Sequence, residues 1–465
     1  MVYPGRPCSL PGYLTRVLRI HDTAIGEVVP LEPRDPGKVS LYSCGPTVYD
    51  VPHIGHGRGY LVYDVLVRYL EWTGLEVLHV RNITDIDDNI INRANETGRD
   101  PGDVAVEFEA AFYGALDALG VKRPTHDPHA TAYVDGMVAL IGELVTRGLA
   151  YETSDGVYLD VEKVPGYGLL AQQRLEDMRA GARVEANDEK HSPADFDLWK
   201  KAKPGEPTWP SPWGDGRPGW HTECVVMSLD LLGDGFDLHT GGLDLKFPHH
   251  ENERAQAVAL GREFARHWMH HAFVEVEGVK MSKSLKNFTS LVDLLERHDA
   301  RAYRLLVLRS HYRSPMVVTA DTMSDAESAL ARLDGLARRF PAPRAAEVDD
   351  DAVVRFRALV DDDLGTPAAM GLVFDLVGKA HAAADAGDVE GAARLAATVI
   401  ELTGALGLEL DGVGDVVDDV TARLVADRDA ARADRDFARA DALRDELVGL
   451  GWTVEDTPAG TRVHR

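Results

Sequence analysis

Apolar positions near the start of the chain follow two different periods. Residues 39–42 and 75–80 form short apolar runs of the length and composition typical of buried strands. Between them, apolar side chains over about residues 61–70 recur at the three- and four-residue spacing of a helix. Strand and helix patterns alternate in this way from about residue 17 to residue 127, which predicts one half of an open α/β sheet.

The pattern changes after about residue 130. Residues 132–147 have helical periodicity, residues 156–161 have that of short strands, and residues 199–213 are rich in Lys, Pro and Trp. A strand-like run then returns at 236–239, and a helix is predicted to begin near His249. The change predicts a subdomain inserted between two halves of the sheet domain.

Helical patterns dominate the rest of the chain. A strand is predicted at 273–276, and helices are predicted at 291–297, at 325–339 and across the Ala-rich stretch 348–408. A linker at 410–419 precedes a small last unit, whose tail at 452–464 is predicted to form a hairpin. The helix of that unit is predicted to present one apolar face, formed by Phe437, Ala440, Leu443, Leu447 and Leu450.

The composition is that of a globular protein. The 465 residues are 45% hydrophobic and 27% charged. No stretch approaches the roughly 20 apolar residues of a membrane span, and residues 1–13 contain no apolar core of a secretory signal. The three cysteines (Cys8, Cys44 and Cys224) are too few for a disulfide framework, so we expect a cytoplasmic protein.

The net charge of −26 argues against a generally basic, nucleic-acid-binding surface. Acidic residues cluster between Glu347 and Asp419, however, so a local basic track elsewhere is compatible with RNA binding. Charge alone predicts no RNA partner.

Two short strings far apart predict a nucleotide site. His-Ile-Gly-His at 53–56, the histidine signature, lies between a predicted strand and a predicted helix. Such a helix N-terminus can receive phosphate, because free backbone N–H groups and the helix dipole face the ligand. Lys-Met-Ser-Lys-Ser at 280–284, the lysine-serine signature, adds two lysines and two hydroxyls on a loop. Together the two signatures predict that a nucleotide triphosphate is held from both ends.

Four further residues offer metal ligands. Cys44 follows the first predicted strand, Cys224 lies far downstream, and His249 and Glu253 are four positions apart, on one face of a predicted helix. Two thiolates, an imidazole and a carboxylate are a plausible tetrahedral zinc set. Two other interpretations stay open. In one, the cysteines are small buried hydrophobic residues; in the other, the His–Glu pair is a solvated helix contact.

The two signatures resemble those of class I aminoacyl-tRNA synthetases. Within that class the chain resembles the cysteinyl-tRNA synthetases over almost its whole length, through segments at 42–50, 82–88, 209–224, 247–253 and 280–284. The resemblance implies an α/β Rossmann-like catalytic domain with an inserted subdomain, followed by all-α C-terminal helical domains and a small tRNA-binding unit. The implied divisions are 17–130 and 213–275 for the two catalytic halves, 131–212 for the inserted connective subdomain, 276–340 for the signature loop and stem-contact region, 345–409 for the helical domain and 418–465 for the anticodon-binding unit.

The resemblance also implies the reaction and its residues. The chain would activate cysteine with ATP and transfer it to the 3′-terminal adenosine of cysteine tRNA, with Mg²⁺ accompanying ATP, as a monomer without a membrane partner. The implied catalytic residues are His53, His56, Lys280 and Lys283. The implied ATP-binding residues also include Gly55, Gly57, Gly241, Gly242, Asp244, Ser282 and Ser284. The residues implied around the amino acid are Gly45, Thr84, Trp220 and His221. The implied ligands of one zinc ion per subunit are Cys44, Cys224, His249 and Glu253.

Zinc in such a site gives a physical basis for choosing cysteine over serine. The two amino acids have nearly the same shape, whereas zinc with thiolate ligands prefers another thiolate to an alcohol. A cation at bonding distance also stabilises the deprotonated thiol, and a hydroxyl with its far higher pKa gains no such stabilisation near neutral pH. A metal–sulfur bond therefore supplies discrimination that pocket shape cannot, without hydrolytic editing.

Three positions depart from the family pattern: Thr240 and Lys286 replace glycines, and Val463 replaces a tryptophan. None of them removes a proposed ligand or catalytic group. Two alternative functions remain. One is a ligase that joins activated cysteine to an amino-sugar, as in the mycothiol pathway; the resemblance of 410–465 to the tRNA-binding end of the synthetases argues against it. The other is a non-catalytic paralogue that senses cysteine or binds RNA, against which the two intact signatures argue.

Overall fold

The computed structural model describes residues 17–172, 189–276, 279–280, 290–341, 347–412, 419–457 and 460–464. Strands within these ranges form five sheets, two of which have four strands. In chain order the strands are β1 (Arg19–Asp22), β2 (Glu27–Pro30), β3 (Lys38–Ser43), β4 (Glu76–Arg81), β5 (Ala150–Glu152), β6 (Gly156–Leu159), β7 (Phe196–Lys201), β8 (Gly216–Pro218), β9 (Leu238–Gly242), β10 (His267–His271), β11 (Val274–Val276), β12 (Val279–Lys280), β13 (Met316–Val317), β14 (Thr453–Thr457) and β15 (Gly460–His464).

Helices make up most of the C-terminal half of the described chain. In chain order they are α1 (Ile54–Trp72), α2 (Asp88–Thr97), α3 (Pro101–Ala118), α4 (Val134–Thr146), α5 (Trp220–Leu232), α6 (Glu251–Ala259), α7 (Leu291–Arg297), α8 (Ala300–Leu308), α9 (Ala320–Arg339), α10 (Asp350–Val360), α11 (Thr366–Asp385), α12 (Val389–Ala405), α13 (Asp419–Ala433) and α14 (Phe437–Gly449). None of the described helices is long and apolar enough to cross a membrane.

The central sheet has the strand order β10–β9–β3–β4, and all neighbouring strands are parallel. β3, α1 and β4 form the strand–helix–strand crossover that the alternating pattern predicts. Val39, Leu41 and Tyr42 of β3 are fully buried, as expected for a strand inside a parallel sheet that is covered on both faces. Because β3 is followed by β4 on one side and pairs with β9 on the other, a crevice forms at the carboxyl ends of β3 and β9.

α1 is longer than the helix that periodicity predicts. It extends beyond residues 61–70 at both ends, and it begins directly after His53, which is its N-cap. Gly55, Gly57 and Gly59 in its first turns carry no side chain, so they give no apolar spacing that a sequence pattern can reveal. The histidine signature thus forms the start of the helix.

The second four-stranded sheet is antiparallel, in the order β5–β6–β7–β8. Its strands contribute the fully buried Val157, Leu198 and Trp199 to the hydrophobic core. On its other side, Lys200 Nζ lies 2.7 Å from Asp88 Oδ2 at the first residue of α2, and Arg217 also pairs with this carboxylate. These ion pairs connect the antiparallel sheet to the segment that follows β4.

The chain clusters into two compact units. One comprises Met1–Leu330, Asp350–Asp375 and Glu401–Leu408, and the other comprises Ala331–Asp349, Leu376–Ile400 and Glu409–Arg465. In the second unit, α13, α14 and the β14–β15 hairpin enclose a small core. The hairpin at the chain end is therefore as predicted.

The predicted single apolar face of α14 is partly wrong. Ala440 and Leu447 are buried, but Phe437 is 62% exposed and Leu450 is 47% exposed. Phe437 is the first residue of the helix and Leu450 its C-cap, so both lie at the ends of a helix whose middle turns make the core contacts. The 3.6-residue period alone does not show where the covering elements end.

Candidate active site

A cavity of about 460 Å³ opens at the carboxyl edge of the central sheet. Cys44 directly follows β3, Gly241 and Gly242 end β9, and His271 ends β10, and all four line this cavity. In doubly wound sheets, ligands bind at this edge, in the crevice outside the carboxyl ends of the strands. The histidine signature contributes His53, Gly55 and His56 to the same wall.

His53 and His56 cap α1 reciprocally. The backbone N–H of His56 donates to Nδ1 of His53, and the backbone N–H of His53 donates to Nδ1 of His56, each over 3.2 Å. The two rings stack with their centroids 3.6 Å apart and their planes inclined by 16°. This is a capping box made of imidazoles. It fixes two ring systems at the positive end of the helix dipole.

Close packing explains Gly45 and Gly57. The Gly45 N–H donates to Asn82 Oδ1 over 2.8 Å, and a Cβ on Gly45 would lie only 1.5 Å from the Asn82 carbonyl oxygen. Gly57 has a different role, because it does not line the cavity. A Cβ there would lie 2.9 Å from Leu291, so the glycine allows α7 to approach α1.

The end of β9 also requires glycine. A Cβ on Gly241 would come within 2.5 Å of the His250 ring, and a Cβ on Gly242 within 2.3 Å of Asp244 Oδ1. Asp244 is exposed and lines the cavity together with both glycines. The segment therefore presents bare backbone beside a carboxylate, which suits a sugar hydroxyl and a closely approaching nucleotide.

The four predicted metal ligands meet in one buried cluster, and their ligand atoms all lie within 4.8 Å of one another. Cys44 Sγ is 3.6 Å from Glu253 Oε1, and Cys224 Sγ is 3.7 Å from His249 Nε2. A tetrahedral zinc ion with bonds of about 2.0–2.3 Å holds its ligand atoms roughly 3.3–3.8 Å apart. The donor set and the spacing therefore fit zinc.

The backbone conformation at His249 differs from the one that the sequence predicts. The sequence predicts that His249 and Glu253 share the face of one α-helix. Instead, His249 lies in the π-helical turn Lys246–His250, and α6 begins only at Glu251. The turn leads directly into α6, so His249 Nε2 still lies 2.9 Å from Glu253 Oε1.

The cluster shifts the pKa values of its members in opposite directions. A hydrogen bond with Cys44 lowers the pKa of Cys224 to about 6, whereas burial raises the pKa of Cys44 well above its usual range. Burial opposes protonation of His249, but Glu253 and Cys224 together raise the pKa of this imidazole to about 10. These shifts favour a Cys224 thiolate and a Glu253 carboxylate beside a protonated His249. A metal cation that binds there would displace the His249 proton.

Two further histidines contact the candidate ligands Glu253 and Cys44. His239 Nε2 lies 2.7 Å from Glu253 Oε2, and His250 Nε2 lies 3.3 Å from Cys44 Sγ. With Cys44 and Glu253 they form a second group of potential ligands, which shares two members with the first. We regard His239 and His250 as supporting partners, because His250 Nδ1 is already 2.8 Å from His270 Nε2 and each ring contacts a ligand of the first group.

Of the three remaining residues predicted around the amino acid, one lines the cavity and two do not. Trp220 lines the cavity, and its indole stacks on the His249 ring at a centroid distance of 4.0 Å. Thr84 and His221 are not among the residues that line the cavity. Thr84 is buried and donates to Glu223 Oε2 over 2.9 Å, and His221 Nδ1 lies 2.9 Å from His249 Nδ1.

The structure describes only the first residue of the lysine-serine signature. Lys280 ends β12, whose backbone pairs with Glu275 of β11. The other predicted residues of this loop lie outside the described residues, namely Ser282, Lys283, Ser284 and the departure Lys286. The description resumes at Ser290, whose backbone forms a bridge with His53.

Sequence reasoning missed a pair on the cavity wall. The hydroxyl of Tyr63 and Nδ1 of His271 are 2.7 Å apart, and both residues line the cavity. Burial lowers the pKa of His271 to about 3, so its ring is neutral near pH 7. Tyr63 lies in the apolar pattern of α1 and His271 at the end of a strand, so neither position carries a signal that the pattern could have revealed.

Two family models match the chain. The model described as the catalytic domain of class I (C) tRNA synthetases matches residues 30–328, and the DALR domain model matches residues 355–411. The cysteine–tRNA ligase of Halorhodospira halophila is 48% identical over 459 residues, which cover 97% of this chain and 100% of that protein. The cysteine–tRNA ligase of Thermotoga maritima is 43% identical over 456 residues, covering 96% and 99%.

Solved structures with much lower sequence identity share the fold. The LeuRS of Agrobacterium radiobacter has a TM-score of 0.62 at 13% identity, covering 81% of this chain and 84% of that one. The methionyl-tRNA synthetase of Mycobacterium tuberculosis has a TM-score of 0.59 at 15% identity, covering 80% and 90%. The predicted class I synthetase fold with a helical C-terminal part is thereby confirmed.

Proposed function

The chain belongs to the cysteine–tRNA ligase family, and we propose that its cavity is where cysteine is activated with ATP before transfer to cysteine tRNA. The observation that carries this proposal is that Cys44 of the ligand cluster lines the same cavity as His53 and His56. The cluster suits a sulfur atom and the capped helix end suits phosphate. One cavity thus provides for both small substrates of a single reaction.

We propose that Cys44, Cys224, His249 and Glu253 hold one zinc ion per subunit. When bound, zinc supplies a cation that favours the thiolate of cysteine over the hydroxyl of serine. The chain provides two sulfur atoms, an imidazole and a carboxylate at matching distances. Trp220 covers the His249 ring on the cavity side and so limits the space that the substrate side chain can use.

For ATP, we propose that the histidine and lysine-serine signatures act on opposite ends of the triphosphate. The reacting step is attack of the cysteine carboxylate on the α-phosphorus, with pyrophosphate leaving. His53 and His56 stabilise charge near the α-phosphate, and Lys280 and Lys283 hold the β- and γ-phosphates, together with Mg²⁺. Their contribution is positioning and electrostatic stabilisation, because phosphoryl transfer needs little covalent help from the protein.

The rest of the nucleotide has a matching surface. Gly55 admits the phosphates close to the start of α1, and Gly241 and Gly242 admit the nucleoside close to β9. We propose that the Asp244 carboxylate accepts the ribose hydroxyls, because it is exposed on the cavity wall beside these glycines. Ser282 and Ser284 complete the phosphate-binding loop in this proposal.

The acceptor is proposed to be cysteine tRNA, with transfer to the 2′-hydroxyl of its terminal adenosine. The unit formed by α13, α14 and the β14–β15 hairpin is the proposed anticodon-binding part. Val463 is buried in the core of that unit, so other, exposed residues must make its RNA contacts. We further propose that the protein acts as a monomer in the cytoplasm.

The test is cysteine-dependent exchange of pyrophosphate into ATP, followed by acceptor assays. We expect exchange with cysteine at least about 100-fold faster than with serine, and transfer to cysteine tRNA. Absence of exchange would support the non-catalytic alternative. Exchange followed by transfer only to an amino-sugar would support the mycothiol-type alternative and contradict the tRNA ligase.

A further inference from the structure

Arg58 is a buried cation close to the proposed nucleotide site, and none of the roles proposed for the reaction involves it. It lies two positions after the histidine signature, in the first turns of α1, and is 1% exposed. No carboxylate among the described residues forms an ion pair with it, and burial lowers the pKa of its guanidinium to about 10. A buried charge is costly unless hydrogen bonds replace its hydration. The hydrogen-bond partners of Arg58 therefore indicate which parts of the protein this buried charge holds in place.

All described hydrogen-bond partners of Arg58 are backbone carbonyls. Its Nη1 donates to the carbonyls of Ala272 and Phe273 over 2.9 and 2.6 Å. Its Nη2 donates to three further carbonyl oxygens, those of His311, Tyr312 and Ser314. A planar guanidinium can satisfy several acceptors at fixed angles, which an ammonium group cannot do.

These carbonyls belong to the base of the lysine-serine loop. Ala272 and Phe273 directly precede β11, which pairs with β12, and β12 ends at Lys280. Ser314 closely precedes β13, which pairs with β11 on its other side. Arg58 thus connects α1 both to the strand that leads into the loop and to the strand that supports it.

The far end of the loop is also attached to the start of α1. Ser290 forms a backbone bridge with His53, and the Leu291 N–H donates to the Pro52 carbonyl over 2.8 Å. Leu291 is fully buried against Gly57. The described residues on both sides of the lysine-serine signature are therefore attached to the start of α1 or to the two residues just before it.

We propose that Arg58 is a positioning residue for adenylate formation, which holds the start of α1 against the residues beside β11 and β13, next to the lysine-serine signature. This inference rests on the proposed function. Arg58 does not line the cavity, so it acts through the carbonyls that it binds and not through contact with substrate. A displacement of reacting groups by about 1 Å is enough to slow a reaction by about 100-fold.

The test uses Arg58→Lys in the full-length protein, which keeps the charge but cannot bind the same set of carbonyls. We expect kcat for cysteine-dependent pyrophosphate exchange to fall by at least about tenfold. KM for cysteine and the zinc content should stay unchanged, because the ligand cluster does not contact Arg58. Single-turnover transfer from preformed cysteinyl-adenylate to tRNA should also be unchanged, because pyrophosphate has already left.

Arg304→Lys is the matched control. Arg304 is also buried, and its guanidinium donates to the carbonyls of Leu119, Gly120 and Leu406 as well as to Asp64. This variant should lose thermal stability while keeping the kcat of exchange. If Arg58→Lys retains at least half of the wild-type kcat, or if exchange and transfer fall equally, the positioning role is wrong. Absence of exchange in the unaltered protein would instead contradict the proposed function.

Hydrogen–deuterium exchange on the unaltered protein provides a second measurement that does not depend on the folding of a variant. Addition of a non-hydrolysable ATP analogue should increase protection of peptides covering residues 53–58 and residues 272–276 together. Increased protection of only one of these segments would contradict the coupling that we propose.

Discussion

His249 Nε2 lies 2.9 Å from Glu253 Oε1, and both side chains are buried beside the thiols of Cys44 and Cys224. Two oppositely charged groups in this position stabilise each other while the metal is absent. When a cation enters, the imidazole must give up its proton, so the pair connects metal binding to proton release.

Replacing a thiol ligand should separate metal binding from folding. We expect Cys224→Ser to lose most of the bound zinc and to reduce cysteine-dependent exchange by at least about 100-fold, because an alcohol is a poor zinc ligand near neutral pH. Metal content per chain and exchange rate are the measurements. Cys8→Ser, at the one cysteine outside the proposed ligand set, is the control and should bind zinc as the wild type does. A Cys224→Ser protein that keeps both zinc and its preference for cysteine would contradict the zinc site.

The cap formed by His53 allows its structural and chemical roles to be distinguished. His53→Ala should lower the free energy of unfolding by about 1 kcal/mol, because the N–H of His56 loses its side-chain acceptor and keeps only the His53 carbonyl. His53→Asn restores a good N-cap side chain and should regain most of that stability. Both variants should lose exchange activity by about 100-fold if the imidazole serves the phosphate. Recovery of activity in His53→Asn would mean that only the cap matters.

A methyl group at Gly45 should be poorly tolerated. The Cβ of Gly45→Ala would lie 1.5 Å from the Asn82 carbonyl oxygen, so the backbone after β3 must move. We expect a loss of about 1–3 kcal/mol in the free energy of unfolding and weaker binding of cysteine, measured by urea denaturation and by KM. Gly114→Ala is the matched control, because no atom lies within 4 Å of its Cβ in α3. That variant should be stabilised by about 0.5–1 kcal/mol.

Asp64 should make stability depend on pH in the acid range. Burial alone would raise the pKa of this carboxyl group, but Arg304, Arg68 and the Lys122 N–H outweigh burial and hold the pKa below its usual value. A lowered pKa in the folded state means that the stabilisation is present above the unfolded pKa of about 4 and is lost as pH falls through the folded pKa.

Asp64→Asn should therefore cost about 3–5 kcal/mol at pH 7, since it leaves buried Arg304 without its anion. Its free energy of unfolding should also depend less on pH below about pH 4. Asp117→Asn, which breaks the exposed pair with Arg123, should cost only about 0–1 kcal/mol. Equal pH profiles for the wild type and Asp64→Asn would show that this carboxyl group does not control the acid limb.

The sequence predicts elements well where burial follows a regular period. The predicted helix 291–297 coincides with α7, and the strand predicted at 39–42 lies within β3. Periodicity alone places this helix only from about residue 61, because glycines in the first turns of α1 carry no side chains from which to infer a helix face; the histidine signature is what places the helix N-terminus. The exposure of Phe437 is also not predicted, since it depends on which turns of α14 the neighbouring elements cover.

The site divides in the same way. The donor types of Cys44, Cys224, His249 and Glu253 make zinc plausible and the family resemblance implies it, whereas their convergence depends on how β3, α5 and α6 pack. The supporting role of His239 could not be predicted, because it arises from the packing that places the first residues of β9 beside α6. Residues that are brought together by the fold, but that have no regular spacing along the chain, leave no periodic pattern in the sequence.

Three of the four ligand residues lie in or beside α5 and α6, far along the chain from the two histidines that cap α1. The residues proposed to hold zinc are therefore mostly separate in sequence from the histidine signature, although the proposed nucleoside contacts Gly241, Gly242 and Asp244 lie between α5 and α6. Cys44, nine positions before His53, is the exception that belongs to both neighbourhoods. A substitution within α5 or α6 can therefore remove a candidate metal ligand without altering the imidazoles that cap α1.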